Sequence, residues 1–223
     1  MTALIRYQAA LLLRSQRWLA PVLLYAAFLG VGVRSGQPVL DSLGYSAAGL
    51  LPVTAWLVQV CATQEPPAAR TVVAAAVGGQ PRAHLAALLA ASGCAGLLGA
   101  AATAVVLLIS EPASTDHTVE VPLPSAGLAG LLAAVCCVLL GAAVGALCTR
   151  PLLHRRGWSL VATVLAALLA LVTSGSPAKY AVTGLVTGSH TGTVHVPVLP
   201  LLGAVAVATA AAALACRLTS VRG

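Results

Sequence analysis

Six long apolar stretches dominate the sequence and leave little material for a soluble core. They run over Trp18–Val33, Ser42–Ala62, His84–Ser110, Ala126–Thr149, Gly157–Thr173 and Pro197–Cys216. A helix needs about 20 residues to cross the hydrocarbon core of a bilayer, and a chain in lipid must satisfy its own backbone hydrogen bonds. Only 8% of the residues are charged, against about 25% in soluble domains. The sequence therefore predicts an all-α, polytopic membrane protein with six transmembrane helices, of which the first and fifth are short.

The charged residues sort to alternate ends of these stretches. One set holds ten arginines and a single acid, Glu65, which gives a net charge of +9. The other set holds Arg34, Lys179, Asp41 and the three acids of residues 111–120, which gives −2. Because cytoplasmic loops collect Lys and Arg, the sorting predicts that both termini are cytoplasmic. The excess of basic residues then indicates contact with the anionic lipid of the bilayer. Nucleic-acid binding is not indicated, because the sequence has no basic patch interleaved with aromatic residues.

The first residues differ from a cleaved signal peptide, because arginines interrupt them. Leu4, Tyr7 and Leu11 recur at helical spacing, with Arg6 on another face, which predicts an amphipathic helix lying on the inner surface of the membrane. An alternative is that this segment is simply the start of the first span. The predicted organisation is an interfacial helix at 1–17, a six-helix transmembrane domain at 18–216 and a short cytoplasmic tail at 217–223.

Small residues recur four positions apart inside the spans. The pairs are Gly141 with Gly145, Ser92 with Gly96, and Ala95 with Gly99. Close backbone approach holds helices together in lipid, so these pairs predict a tight bundle.

Ionisable residues are missing from the predicted spans, and this shapes the functional argument. Ion-driven transporters usually place such groups near mid-membrane. Ser176 and His190 could suggest a nucleophile and base. His190 and His195, with Asp116, His117 and Glu120 of the other outer loop, could form a metal site, but solvated loop residues are the ordinary reading of both patterns. The chain also lacks the phosphate-binding G-x-x-x-x-G-K-[ST] motif, so any ATP-driven work would need a separate ATPase.

The loop after the second span holds a candidate for the contact with such an ATPase. Pro66 and Pro67 end the span, residues 68–77 have the composition of a short helix, and Gly78-Gly79 would end it. A rigid helix parallel to the membrane is a suitable lever.

At this loop the chain resembles the permease subunits of type-2 ABC exporters, which have an interfacial amino-terminal helix and six spans. The matching features are Glu65, the Arg70-Thr71 start, Gly79-Gln80-Pro81 and Arg82, although the family often has Gly where this chain has Arg70. The resemblance implies a bacterial-type inner membrane, a second permease subunit, identical or homologous, and two ABC-type ATPase subunits that bind ATP and Mg. The implied ATPase-coupling residues are Glu65, Arg70, Thr71, Ala74, Gly79, Arg82, Arg155 and Arg156. The arginines of the second inner loop could equally serve only to set the topology.

The spans offer few polar anchors for cargo, so the cargo is expected to be amphiphilic or apolar. Tyr25, Thr54, Gln59 and Thr103 are the candidate path residues. Two alternatives remain: a non-transporting scaffold or sensor subunit, and an independent secondary transporter. In the outer loop at 174–196, residues 178–188 are apolar but too short to span. The same family resemblance implies a re-entrant or interfacial helix there.

Overall fold

The protein is all-helical in the part of the chain that the computed structural model describes, residues 1–148 and 156–222. The helices are α1 (Thr2–Arg14), α2 (Leu19–Gly32), α3 (Val39–Thr63), α4 (Pro67–Val77), α5 (Gln80–Ile109), α6 (Leu123–Cys148), α7 (Arg156–Val172), α8 (Pro177–Thr191) and α9 (Val198–Arg222). One isolated β-bridge, Pro38 with Glu111, joins the α2–α3 connection to the α5–α6 connection. A second, Ala113 with Glu120, lies within the α5–α6 connection. The all-α prediction is confirmed, and helix α9 continues through the predicted tail as far as Arg222.

Four of the described helices are long and apolar enough to cross a membrane. They are α3, α5, α6 and α9, the last over Val198–Leu218. Residues Ala162–Val172 of α7 and Pro177–Thr191 of α8 pass the same test together, but they are bent by 51° at a short break. The structure thus has four or five candidate spans, and α2, with 14 residues, is shorter than a bilayer core requires.

Helix α3 is the centre of the bundle and packs against α6, α5 and α8. Glycines on α6 allow the closest approach: a Cβ at Gly141 would lie 2.5 Å from the Leu51 carbonyl oxygen, and one at Gly145 would lie 2.7 Å from Val58 Cβ. On α5, a Cβ at Gly99 would lie 2.8 Å from Leu50, whereas Gly96 has nothing within 4 Å. The small-residue pattern therefore marks a real contact on α6 and only in part on α5.

Helices α1 and α2 lie near opposite ends of α3, and α1 packs mainly against α5. Gln8 of α1 hydrogen bonds Glu65, just past the carboxyl end of α3. Tyr25 of α2 donates its hydroxyl to the Ser46 carbonyl, and the Tyr45 ring lies against Gly32. The short helix α2 thus packs on the amino-terminal half of α3, while α1 lies at the opposite end.

Helix α7 contacts α3 near its carboxyl end, and α8 contacts it near its amino end. Gln59 hydrogen bonds Thr163 of α7, Gly44 contacts Val182 of α8, and Leu40 lies beside Gly188. Lys179 donates to the Val172 carbonyl at 3.1 Å across the break, where a cation suits the carboxyl end of a helix. The helix predicted at 178–188 is confirmed, and it packs against α3, α6 and α9.

Candidate functional site

Helix α4 forms where the sequence predicts it, with bounds fixed by local chemistry. Pro66 is extended (φ −60°, ψ 149°) and Pro67 begins the first turn, where the missing N–H costs no hydrogen bond. Gly78 ends the helix in the left-handed region (φ 83°), and the Gly79 amide donates to the Ala74 carbonyl at 2.8 Å. The structure therefore has a rigid helix of three turns between α3 and α5.

The two faces of α4 differ. Ala74 is 6% exposed and lies on the face that packs against α5. The Arg70 guanidinium donates to the Ala62 carbonyl in the last turn of α3. The opposite face, with Ala75 and Ala76, is open, and Val72 on it is 70% exposed. Thr71, at the edge between the two faces, is exposed as well. An exposed valine between alanines on a helix that is anchored behind is a suitable surface for a partner.

The predicted coupling residues do not share one surface. Thr71 and Arg82 are exposed, whereas Glu65 is 8% exposed and accepts a hydrogen bond of 2.8 Å from Gln8 Nε2. Gly79 has φ 134° and makes the turn into α5. Arg155 lies outside the described residues, and Arg156 begins α7.

Sequence reasoning missed the polar partners of Glu65. Gln8 comes from the helix predicted to be interfacial, and it also accepts a hydrogen bond from Gln64 Nε2 at 3.1 Å. Gln8 is itself buried, and the one signal for a polar partner was a polar residue at helical spacing from Leu4 and Leu11 of the apolar stripe. These contacts join α1 to the junction between α3 and α4.

The four predicted path residues are all buried and engaged inside the bundle. Tyr25 donates to the Ser46 carbonyl at 3.0 Å, Thr54 to Leu50 at 2.7 Å and Thr103 to Gly99 at 2.9 Å. Gln59 bonds Thr163 of α7. Their polar atoms thus stabilise helices and helix pairs in this arrangement.

An open groove of about 420 Å³ lies at the other end of α3, between α2, the first turns of α3, and α8. Its polar lining includes Gln37, Asp41 and Ser42, and its apolar lining includes Tyr45, Val182 and Val186. Gly36, at φ 83°, turns the chain from α2 towards α3. The next residues are fixed by backbone bonds, since Glu111 N–H donates to Gln37 and Val39 N–H donates to Glu111. None of the four path residues lines this groove.

The Asp41 carboxylate at the polar end of the groove lies near two distant segments, which contribute Thr115 and Ser189. Thr115 Oγ1 lies 3.5 Å from Asp41 Oδ2 and 3.0 Å from Ser189 Oγ. The Thr115 amide also donates to the Ser189 carbonyl at 3.0 Å. The Thr115–Asp41 contact is at the outer limit of a hydrogen bond, so it satisfies the carboxylate poorly. The Ser42 hydroxyl is buried, and no described residue offers it a hydrogen-bond partner.

The outer histidines do not converge. His117 Nδ1 lies 3.3 Å from Glu111 Oε2 on the surface, and residues 1–148 and 156–222 contain no group of three His, Cys, Asp or Glu side chains placed to hold a metal. Ser176 and His190 lie at opposite ends of α8, about 20 Å apart along a helix that rises about 1.5 Å per residue. That pair therefore cannot act as nucleophile and base.

Comparison with known proteins gives no further assignment. No protein family, no curated protein and no solved structure matches this chain. The function must therefore be argued from α4, the bundle and the groove.

Proposed function

We propose that this protein is the permease subunit of an ATP-driven ABC exporter. The observation that carries the proposal is α4, a proline-started helix between two candidate spans, which is anchored on one face and open on the other. A partner that moves α4 would act on α3 through the Arg70–Ala62 bond and on α5 through the buried Ala74 face. Such a helix can transmit motion because both of its supports are themselves long helices.

The energy source in this proposal is external. The chain has no phosphate-binding loop, so two ATPase subunits would bind ATP and Mg in trans. A second permease subunit, identical or homologous, would complete the path. Glu65, Arg70 and Ala74 hold α4 in place, while Thr71 and Arg82 would face the ATPase together with Val72. Arg155 and Arg156 would supply the second inner contact.

The proposed topology has six spans in a bacterial-type inner membrane, with α1 at the inner interface and both termini cytoplasmic. The spans would be α2, α3, α5, α6, α7 and α9, and α8 would enter the bundle from the break after α7. The run of α1 and α2 from one end of α3 to the other supports counting α2, since the linker at 15–18 can add the length that α2 lacks.

Cysteine labelling in a background without native cysteines tests this topology. Asp116→Cys and His190→Cys should react from outside, and Ala75→Cys and His154→Cys only from inside. Labelling of residues 75 and 116 from the same side would contradict the six-span arrangement.

The cargo is proposed to be amphiphilic or apolar, because the spans carry few polar side chains. In this arrangement Tyr25, Thr54, Gln59 and Thr103 are engaged within the bundle. A path along them would require α7 to separate from α3, which breaks the Gln59–Thr163 bond.

The open face of α4 gives a direct test of coupling. Val72→Glu adds a charge to the proposed contact and leaves both anchors intact, so vanadate-sensitive ATPase activity that copurifies from native membranes should fall at least ten-fold. Val119→Glu is the matched control: it makes the same change at an exposed valine of the outer connection and should keep activity within two-fold.

Ala74→Pro is a second variant, because proline inside a helix costs about 3 kcal/mol and should disrupt α4. If all three variants copurify with as much ATPase activity as the wild type, α4 has no role in coupling. Transport by the purified subunit without any ATPase would refute the ABC proposal and favour a secondary transporter. If the wild type shows neither copurifying ATPase activity nor transport, a scaffold or sensor is favoured.

A further inference from the structure

We propose that the groove beside the amino-terminal turns of α3 binds a small amphiphile with a single ammonium group. The proposal concerns the end of the bundle remote from α4, and it does not depend on transport or on an ATPase. Its basis is an arrangement of polar and apolar groups along one face of α3.

The groove is polar at one end and apolar along its length. Asp41, Tyr45 and Ala48 all line it at helical spacings of four and three residues, so they lie on the same face of α3. Asp41 is in the first turn of the helix and Ala48 is two turns further in, about 10 Å along the axis. Val182 and Val186 of α8 form the facing apolar wall. A ligand with a polar head and a short apolar body matches this order.

The polar end is short of donors. The Asp41 carboxylate receives only the 3.5 Å contact from Thr115, and within the described residues no arginine or lysine nitrogen lies within 4.0 Å of it. The Ser42 hydroxyl, on the next residue of α3, is buried without a partner in the described part of the chain. A buried polar group without a partner is costly, and an ammonium group carries three donors and no acceptor. An ammonium ligand in the groove would therefore give the Asp41 carboxylate the close donors that the described residues do not give it.

The charge around the groove favours a cation. Among the described residues that line the groove, Asp41 is the one with a charged side chain. The predicted outer set to which it belongs, which also contains Arg34 and Lys179, has a net charge of −2. A neutral alcohol could fill the apolar length but would leave the carboxylate uncompensated, and an anion would be repelled by it. The volume of about 420 Å³ is near the lower end of the range for small-molecule sites, about 300–1,000 Å³, which suits one short chain or ring better than a whole diacyl lipid.

The test is direct binding of radiolabelled octylammonium to the full chain in phosphatidylcholine nanodiscs, with empty nanodiscs subtracted. We expect saturable binding of one molecule per subunit, weaker binding of octanol and no competition by octanoate. Asp41→Asn preserves shape and removes the charge, and it should weaken octylammonium at least ten-fold while changing octanol less than two-fold. Ala48→Phe fills the apolar end and should abolish binding of both.

Asp116→Asn is the matched control, because Asp116 is an exposed outer acid that does not line the groove. It makes the same change in net charge and should alter affinity less than two-fold. Equal losses in the two Asn variants would mean that surface potential alone attracts the cation, and undiminished binding by Asp41→Asn would place the ligand elsewhere; either result overturns the proposal. A far-ultraviolet melting curve within a few degrees of the wild type confirms that each variant is folded.

Phosphatidylethanolamine nanodiscs distinguish a free amphiphile from a lipid headgroup with the same ammonium chemistry. Octylammonium affinity should stay within two-fold in them. Complete loss would assign the groove to the lipid and overturn the proposal of a free ligand. Failure of α4 to recruit an ATPase leaves all of these results unchanged.

Discussion

The two ends of helix α3 each carry a carboxylate, and the two are treated very differently by the fold. At the carboxyl end, Glu65 is buried and accepts a 2.8 Å hydrogen bond from Gln8, which Gln64 holds in turn. At the amino end, Asp41 borders an open groove, and its carboxylate has a single contact, of 3.5 Å, with the described residues. Satisfied polar groups stabilise and fix a structure, whereas a poorly satisfied one beside a cavity is available to a ligand. The comparison therefore assigns a structural role to Glu65 and a binding role to Asp41.

The sequence had suggested the reverse emphasis. The resemblance to exporter permeases implies that Glu65 contacts an ATPase, whereas the sequence marks Asp41 only as one of the charges predicted to lie outside. The structure shows that Glu65 joins α1 to the α3–α4 junction. Its influence on a partner of α4 would therefore be indirect, through the position of α4.

The largest expected effect on stability comes from Gly141→Val, which disrupts the packing of α3, the helix that carries both carboxylates. Gly141→Val would place a side chain where a Cβ already meets the Leu51 carbonyl oxygen at 2.5 Å. Backbone atoms cannot easily yield, so we expect a loss of about 3 kcal/mol or more in the free energy of unfolding. Thermal unfolding in detergent measures the change.

Gly96→Val on α5 is the matched control for this variant. Nothing lies within 4 Å of its added Cβ, so stability should stay within about 0.5 kcal/mol, as for other surface substitutions. A similar loss at both positions would show that the α3–α6 contact is not the one that holds the bundle.

A smaller effect is expected from Glu65→Leu, which leaves the buried Gln8 amide without its acceptor. An unsatisfied buried partner costs about 1–3 kcal/mol, so unfolding free energy should fall by about 2 kcal/mol. Glu65→Gln keeps an acceptor oxygen for Gln8 and should recover most of that loss. If the Leu variant is as stable as the wild type, Glu65 is not a structural carboxylate and the contrast with Asp41 disappears.

The smallest effect is expected from Asp41→Asn. The carboxylate lies in the first turn of α3, where interaction with the helix dipole contributes about 0.3–1 kcal/mol, and its one hydrogen bond is long. The free energy of unfolding should therefore change by about 0.5 kcal/mol in the same detergent assay. A loss as large as that of Glu65→Leu would mean that Asp41 is structural too.

Local features of the inner connection were predicted well. Pro67 and Gly78 fix the two ends of α4 through backbone geometry that acts over a few residues, and the helix lies within one residue of its predicted start. Helix α8 was expected on other grounds, an apolar segment too short to span and the resemblance to exporter permeases. The count of six spans was harder, because α2 is short and α7 and α8 bend at Ser174-Gly175, so length alone does not decide what crosses the membrane.

The sequence by itself determined that the chain is helical, apolar enough for lipid and asymmetric in charge, because these properties depend on composition and on neighbouring residues. Only the tertiary structure decided that Gln8 meets Glu65 across 57 positions, that Thr115 and Ser189 meet beside Asp41, and that Gly141 is packed while Gly96 is open. Those outcomes depend on how each helix is rotated and crossed against its neighbours. In an Ala- and Leu-rich span almost every face is apolar, so the sequence pattern does not fix that rotation and close packing must.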